Sequence, residues 1–395
     1  MSTPPRRLML LAGAVLASTV GGVAQSRPIQ PGDPLPGVSP AEFEEFRLGL
    51  DDFLEVETAE EGLGPAFNGT SCAACHSVPA VGGMSAIAEV RVGKRPAPGV
   101  FEAFAPDGES LMHLFSLPGH GCQPMIPADA NLIVRRIPIP VFGAGLVEAI
   151  ADETILALAD PDDRNGDGVS GRAGIVEDRG TGDRRVGRFG WKSQHATLLA
   201  FGADAYRNEM GITNDLFRDE LALGVDPARM RVCDPIPEPE DIPDPVTRRR
   251  GIDNFASFMR LLAPAERAAS DEVTRDGERI FAAIGCAACH TPSLETPSHR
   301  NPLFDRRRVA LFSDLLLHDV GTGDGIRQGS ADPDEIRTPA LWGLRHRRPL
   351  LHDGSAATIS DAILRHSGEA ALARAGFDRL TADERIAVLR FLNSL

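Results

Sequence analysis

The 395-residue sequence has little lysine, little tyrosine and no excess of positive charge. Lysine occurs only at Lys94 and Lys192, arginine supplies the remaining strongly basic side chains, and the formal net charge is -15 at pH 7. A chain this acidic is not expected to bind nucleic acid, because phosphates attract basic surfaces. Its 42% hydrophobic content still allows substantial cores and excludes disorder as the default.

Long apolar runs are also missing beyond the N-terminus. The run from Leu8 to Val20 follows Arg6-Arg7 and precedes a small-residue site that ends at Ala24. This layout is typical of a signal peptide, and the run is shorter than the roughly 20 residues of a comfortable bilayer span. We therefore expect residues 1–24 to be removed on export to the periplasm, leaving no stable membrane span. An uncleaved membrane anchor is the alternative interpretation.

Cysteine is scarce, and four of the six cysteines lie in two identical motifs, Cys72 to His76 and Cys286 to His290. In CxxCH, the two thiols bond to the vinyl groups of haem and the histidine binds the iron. A zinc site would need further ligand pairs, and a thioredoxin-like motif does not need the histidine. The motifs therefore predict two covalently bound haem c groups, with Cys72, Cys75, Cys286 and Cys289 as attachment sites and His76 and His290 as iron ligands.

The two remaining cysteines are Cys122 and Cys233. In an oxidising compartment we expect them to form a structural disulfide. A redox-active pair is the alternative, but neither cysteine lies in a CxxC motif.

Each haem motif lies between two stretches whose apolar residues recur at helical spacing. The stretches that begin at Ser39 and Ser270 lead into the motifs, and residues 252–262 and 385–395 follow them. This repeat predicts a mostly α protein with two cytochrome c-like domains, residues 39–266 and 267–395, after a linker at residues 25–38. A long insertion, from about residue 90 to residue 245, separates the first motif from its closing helix.

The segment from Asp163 to Gly171 matches the first half of a calcium-binding loop. Asp163, Asn165 and Asp167 supply oxygen atoms at alternate positions, and Gly168 stands at the sixth position, where the loop turns. The closing glutamate is absent, because the twelfth position is Gly174. A calcium ion and an Asx-rich turn both remain open.

Further motifs resemble the di-haem oxidoreductase family, which is related to bacterial di-haem cytochrome c peroxidases and to MauG-type enzymes. The resemblance covers nearly the whole mature chain, from about Phe43 to Leu395. The motifs that carry it are Phe189-Gly190-Trp191-Lys192, Glu209-Met210-Gly211-Ile212-Thr213-Asn214, His318-Asp319-Val320-Gly321, Arg337-Thr338-Pro339 and His352-Asp353-Gly354.

The resemblance implies specific roles. The sixth ligand of the C-terminal haem stands fourteen residues after His352, at His366, which implies a low-spin haem with His290 and His366 as axial ligands. Such a pair favours a lower potential than histidine with methionine. The resemblance also implies that Trp191 lies between the haems and that Glu209 is the distal carboxylate that moves protons.

Calcium is implied a second time, between the haems and near Pro349. Tyr206, the only tyrosine, does not stand at the ligand position that MauG-type proteins fill with tyrosine. The sixth ligand of the N-terminal haem stays open, and the candidates are Met84, His113, His120, His195 and Met210.

These inferences predict a peroxidase-like oxidoreductase. Electrons from a small redox protein or a quinol-linked donor enter at the C-terminal haem and pass by Trp191 to the N-terminal haem. Hydrogen peroxide or another oxidant is reduced there, with Glu209 as proton carrier. Two alternatives remain: oxidation of a protein or thiol substrate, and a pure electron-transfer cytochrome without peroxidase activity.

Overall fold

The structure, a computed structural model, describes residues 27–105, 108–119, 121–233 and 241–395. The predicted signal peptide, residues 1–24, and the candidate ligand His120 lie outside the described residues. None of the helices in the described ranges has the length and apolarity that a bilayer crossing needs.

Helices are the main regular structure, as predicted, and they are joined by loops and short strands. The α-helices are α1 (Pro40–Leu54), α2 (Cys72–Cys75), α3 (Ala144–Glu148), α4 (Asp152–Leu156), α5 (Leu198–Ala205), α6 (Pro227–Cys233), α7 (Gly251–Leu261), α8 (Glu272–Ala283), α9 (Ile359–Arg365), α10 (Ala371–Asp378) and α11 (Ala382–Leu392). Short 3₁₀ turns span Ala59–Glu61, Cys286–Ala288, Leu344–His346 and Gly368–Ala370, and a π-helix, Tyr206–Met210, continues from α5.

The strands form small antiparallel sheets. They are β1 (Ala66–Phe67), β2 (Glu89–Gly93), β3 (Leu111–Met112), β4 (Phe115–Ser116), β5 (Leu132–Arg136), β6 (Ile175–Glu177), β7 (Arg184–Val186), β8 (Leu294–Glu295), β9 (Arg308–Val309), β10 (Leu317–His318) and β11 (Ile336–Arg337). In the three-stranded sheet, β2 lies between β3 and β5, while β1 pairs with β4, β6 with β7, β8 with β9, and β10 with β11.

Helix α1 begins as its sequence predicts. The Ser39 hydroxyl accepts from the Glu42 backbone N–H at 3.3 Å, and the Glu42 carboxylate accepts from the Ser39 backbone N–H at 2.7 Å. This capping box satisfies two N–H groups that the first helical turn would leave free. The apolar face then packs on α7, where the rings of Phe46 and Phe53 lie 5.3 and 4.8 Å from that of Phe258.

The same arrangement recurs before the second motif. Asp271 caps α8, and α8 packs on α11 with the rings of Phe281 and Phe391 5.2 Å apart. The helices approach closely at Gly277, where a Cβ atom would lie 1.9 Å from the Ala387 carbonyl oxygen. Each CxxCH motif therefore follows a helix that is packed against a closing helix.

Buried residues do not separate at the predicted boundary between residues 266 and 267. The larger core cluster combines residues of α1, α5 and α7 with C-terminal residues, among them Leu294, Leu303, Phe304, Leu311, Leu315 and Trp342. A second cluster lies among α8, α9, α10 and α11 and contains Phe281, Phe377, Val388 and Phe391. The division into two domains therefore stays a prediction.

A disulfide joins Cys122 to Cys233, the pair named by the sequence argument, with their Cα atoms 6.2 Å apart. Both cysteines are buried beside Met230. The bond attaches α6 to the loop that precedes β5.

Candidate haem sites

The first CxxCH motif forms one helical turn beside a cavity of about 190 Å³. The His76 backbone N–H donates to the Cys72 carbonyl oxygen at 3.0 Å, and Cys72, Cys75 and His76 all line the cavity. The Nδ1 atom of His76 lies 2.8 Å from the Gly83 carbonyl oxygen. Because a carbonyl only accepts, Nδ1 carries the proton and Nε2 keeps its lone pair for a metal.

The second motif forms a similar turn beside a larger, mainly apolar cavity of about 460 Å³. Cys286, Cys289, His290 and His366 line it. The Nδ1 atom of His290 donates to the Phe312 carbonyl oxygen at 3.1 Å, and that of His366 donates to the Ala362 carbonyl oxygen at 2.7 Å. Both imidazoles therefore keep Nε2 free, and burial lowers the pKa of each, which favours the neutral form that binds metal.

These observations fit haem at both positions. Each site combines a pair of thiols, an imidazole with an oriented ring and a pKa lowered by burial, and a cavity beside them. The second site adds another oriented imidazole, that of His366, which lines the same cavity as His290.

Glu209 lines the first cavity and lies on the π-helix. Its carboxyl group is hydrogen-bonded to that of Glu89, and it accepts from the Asn68 side-chain amide at 3.2 Å. Burial, together with the charge of Glu89, raises the pKa of Glu209 to about 8. Two carboxyl groups at hydrogen-bonding distance share a proton, because both cannot carry a charge there.

Arg91 decides which member of this pair is ionised. Its guanidinium donates to both oxygens of Glu89, at 2.6 and 3.2 Å, and all three side chains line the first cavity. Although burial opposes ionisation, Arg91 holds the pKa of Glu89 below its usual range. Glu209 therefore holds the shared proton at neutral pH, and Glu89 carries the charge.

Sequence reasoning missed Glu89 and Arg91. Their spacing on β2 carried a usable signal, because residues two apart on a strand face the same side. Their partner Glu209, however, comes from a helix distant in sequence, so the contact among the three side chains could not be predicted from the sequence.

The candidates for the sixth ligand of the first haem differ in which cavity they line and in their hydrogen-bond partners. Among the described candidates, Met210 lines the first cavity, while Met84 lines the second. The His113 Nε2 atom is hydrogen-bonded to the Asn208 carbonyl oxygen at 2.7 Å. The His195 Nε2 atom is hydrogen-bonded to the Asp204 carboxylate at 2.9 Å.

Trp191 lines both cavities. Its indole N–H donates to the Ile137 carbonyl oxygen at 2.8 Å, and its ring meets that of His352 edge to face at 6.1 Å between centroids. The backbone N–H of Arg337 donates to the Trp191 carbonyl oxygen at 2.8 Å. The indole is thus fixed between the two sites.

His318 lies in the wall of the second cavity but is not available as an iron ligand. Its Nε2 atom lies 2.9 Å from the Asp314 carboxylate and its Nδ1 atom 2.8 Å from the Glu369 carboxylate. Although burial opposes protonation, these hydrogen bonds and that with Cys289 raise the pKa of His318 to about 12. Both ring nitrogens are therefore engaged by carboxylates, and the ring forms part of a buried cluster with Cys289 and Asp314.

The candidate calcium loop is exposed and closed by its own hydrogen bonds. The Asn165 side chain accepts from the Asp167 backbone N–H at 2.9 Å, and Asp163 accepts from the Gly168 backbone N–H at 3.2 Å. The loop is attached to the second site, because the Ser170 backbone N–H donates to Glu369 at 2.8 Å. Calcium at Asp163, Asn165 and Asp167 stays a prediction.

Comparison with known families identifies an oxidoreductase of the peroxidase type with two haem cofactors. The family model described as "Di-haem oxidoreductase, putative peroxidase" matches residues 122–395, and the chain belongs to that family. No curated protein matches the chain.

Solved structures show distant similarity. The diheme peroxidase BthA from Burkholderia thailandensis shares 14% identity over 93% of this chain and 89% of its own, with a TM-score of 0.41. Hydrazine synthase from Kuenenia stuttgartiensis shares 15% identity over 100% of both chains, with a TM-score of 0.39. A MauG-like protein associated with microbial copper homeostasis shares 18% identity over 71% of this chain and 95% of its own, with a TM-score of 0.33.

Proposed function

We propose that this chain is an exported, periplasmic di-haem c-type cytochrome that reduces hydrogen peroxide. One observation carries the proposal: the hydrogen-bonded pair of Glu209 and Glu89 lines the same cavity as the first CxxCH motif. Peroxide reduction needs a group that accepts a proton and a group that returns one to the departing oxygen. The pair offers both, because Glu89 is ionised while Glu209 is protonated.

In this proposal, haem is attached covalently at Cys72 and Cys75, with His76 as ligand, and at Cys286 and Cys289, with His290 and His366 as ligands. The haem supplies an iron that exchanges electrons and binds the oxidant. Glu89 takes a proton from hydrogen peroxide and Glu209 delivers its own proton to the oxygen that departs. Arg91 keeps Glu89 ionised and ready to accept.

The second site is proposed as the entry point for electrons. His290 and His366 leave no position for an oxidant when both bind the iron, so this site stores and passes electrons. Trp191, which lines both cavities, is proposed to carry them to the first site. The acidic chain suits a basic redox protein as donor, and a quinol-linked donor is the alternative.

The proposal also divides the chain into two cytochrome c-like domains, residues 39–266 and 267–395, with an insertion in the first. Calcium at Asp163, Asn165 and Asp167 belongs to the same proposal. Calorimetric titration with calcium chloride tests it, because D167N weakens binding if the loop holds the ion and leaves it unchanged otherwise.

One observation favours a second function. Met210 lines the first cavity, and a thioether ligand there would close the iron to substrates. The protein would then be an electron-transfer cytochrome without peroxidase activity. Spectra distinguish the two functions, since a high-spin first haem supports the peroxidase and two low-spin haems in every redox state support the carrier.

The deciding experiment measures peroxide consumption by the haem-loaded protein. E209Q and E89Q each keep the side-chain shape but remove the ability to exchange the proton, so we expect losses of roughly 10² to 10⁴-fold. E102Q, at an exposed position, is the matched control and retains full turnover. Equal turnover in E209Q and E102Q contradicts the proposed role of Glu209 as proton carrier.

A haem stain on a denaturing gel tests covalent attachment of the haem.

A further inference from the structure

Tyr206 is the only tyrosine of the chain, and it lies in the wall of the first cavity. It is 3% exposed and is the first residue of the π-helix that also carries Glu209. π-Helical turns are rare and occur frequently at functional sites. The same irregular turn thus places a phenol and the proposed proton carrier beside one cavity.

The Tyr206 hydroxyl donates a hydrogen bond to the Oε1 atom of Glu57. Glu57 is itself buried, with 5% exposure, and lies in the loop after α1. Burying a carboxyl group costs free energy, and a buried phenol needs only one acceptor, which a backbone carbonyl would supply. In this protein the acceptor for the hydroxyl of Tyr206 is instead an ionisable carboxyl group.

Glu57 is suited to receive the phenolic proton. Burial raises the pKa of Glu57 to about 7, and the hydrogen bond from Tyr206 acts in the opposite direction. Near neutral pH the carboxyl group therefore exists in both forms and takes up a proton readily.

The pair also lies close to the first haem-attachment motif. The Glu57 backbone N–H donates to the carbonyl oxygen of Thr70 at 2.8 Å, two residues before Cys72. The ring of Tyr206 meets that of Phe255 edge to face, with centroids 4.7 Å apart, which shields the phenol from water. A radical formed on such a ring is protected from solvent.

We propose that Tyr206 and Glu57 form a one-electron donor site for the first haem. The inference rests on the proposed peroxidase function, with hydrogen peroxide as the oxidant. When peroxide has oxidised the first site, Tyr206 gives up one electron to it, the phenolic O–H bond breaks, and the proton passes to Glu57. A neutral tyrosyl radical remains, and one electron arriving by Trp191 together with the proton from Glu57 restores the phenol.

The test is electron paramagnetic resonance of the full-length, haem-loaded protein, frozen within milliseconds of mixing with hydrogen peroxide. We expect a tyrosyl signal in the wild type and none in Y206F. E57Q keeps a hydrogen-bond acceptor but cannot take the proton, so its radical yield falls by roughly tenfold or more. E60Q changes an exposed carboxylate in the adjacent 3₁₀ turn and leaves the yield unchanged.

A second measurement needs no substitution. Protein produced with ring-deuterated tyrosine carries the label at one position only, so the hyperfine structure of a Tyr206 radical must narrow. This keeps the inference testable if Y206F fails to bind haem.

Each result is decisive. If peroxide changes the haem spectrum but produces no tyrosyl signal, the inference is overturned and the proposed function stands. The same holds if a radical signal appears and deuteration of tyrosine does not narrow it. If peroxide changes neither the haem spectrum nor the radical signal, the proposed function itself fails. Equal radical yields in E57Q and E60Q remove Glu57 from the site.

Discussion

Trp191 and Ile137 are joined across the wall between the two cavities, where the indole N–H donates to the Ile137 carbonyl oxygen at 2.8 Å. Both residues line both cavities. The Ile137 backbone N–H donates in turn to the carbonyl oxygen of His352 at 2.7 Å. An aromatic ring held by such bonds keeps one orientation, which suits electron transfer between two sites.

W191F tests this route. Phenylalanine removes the indole donor and part of the aromatic surface, so we expect electron transfer from the second haem to the first to slow roughly tenfold, equivalent to about 1.4 kcal/mol in the barrier. Stopped-flow spectroscopy of the reduced protein mixed with peroxide measures it. W342F is the control, because Trp342 belongs to the larger core cluster. Similar rates in W191F and W342F contradict the assignment.

Peroxide consumption is expected to decline as pH rises through about 8. The pKa of Glu209 is raised to about 8, so the folded protein holds this proton at neutral pH and loses it above that range. Without the proton, Glu209 cannot protonate the departing oxygen. The pH profile of turnover measures the decline. If the residual activity of E209Q declines over the same pH range, Glu209 is not the source of the decline.

The same proton affects stability. Glu209 in the unfolded chain loses its proton near the ordinary value of 4.5, whereas the folded state keeps it until about 8. Its stabilising contribution is therefore fully present at low pH and is lost as pH rises from about 4.5 to 8. Urea titrations of wild type and E209Q across this range should show a steeper fall of unfolding free energy in the wild type. Parallel curves contradict the raised pKa.

H366M tests the ligation of the second haem. A thioether stabilises ferrous iron relative to imidazole, so the midpoint potential of this haem should rise by on the order of 100 mV. Spectroelectrochemical titration measures the shift. H299M, at an exposed histidine, is the control and leaves both potentials unchanged. An unchanged potential in H366M means that His366 does not bind the iron.

The double substitution C122S/C233S tests the disulfide. The bond closes a segment with a sequence separation of 111, and its loss should lower the free energy of unfolding by about 3–5 kcal/mol on the chain-entropy model. Urea denaturation of oxidised wild type and the double variant measures the difference. Reduced wild type should match the variant, and equal stability of all three contradicts a structural role.

Features that depend on near neighbours along the chain could be predicted from the sequence. CxxCH spacing sets thiols and imidazole on one helical turn, since a turn closes over four residues. The start of α1 was equally predictable, because the capping box needs only Ser39 and Glu42. His366 was reached by family resemblance, and the structure places it in the same cavity as His290.

Which distant side chains meet, and how they are ionised, depends on the folded chain. Glu89 and Glu209 come from β2 and the π-helix, and Glu57 and Tyr206 come from the loop after α1 and the same π-helix. A carboxyl group becomes a proton carrier only when burial and a neighbouring charge shift its pKa. Both conditions belong to the folded environment, so no local pattern in the sequence contains them.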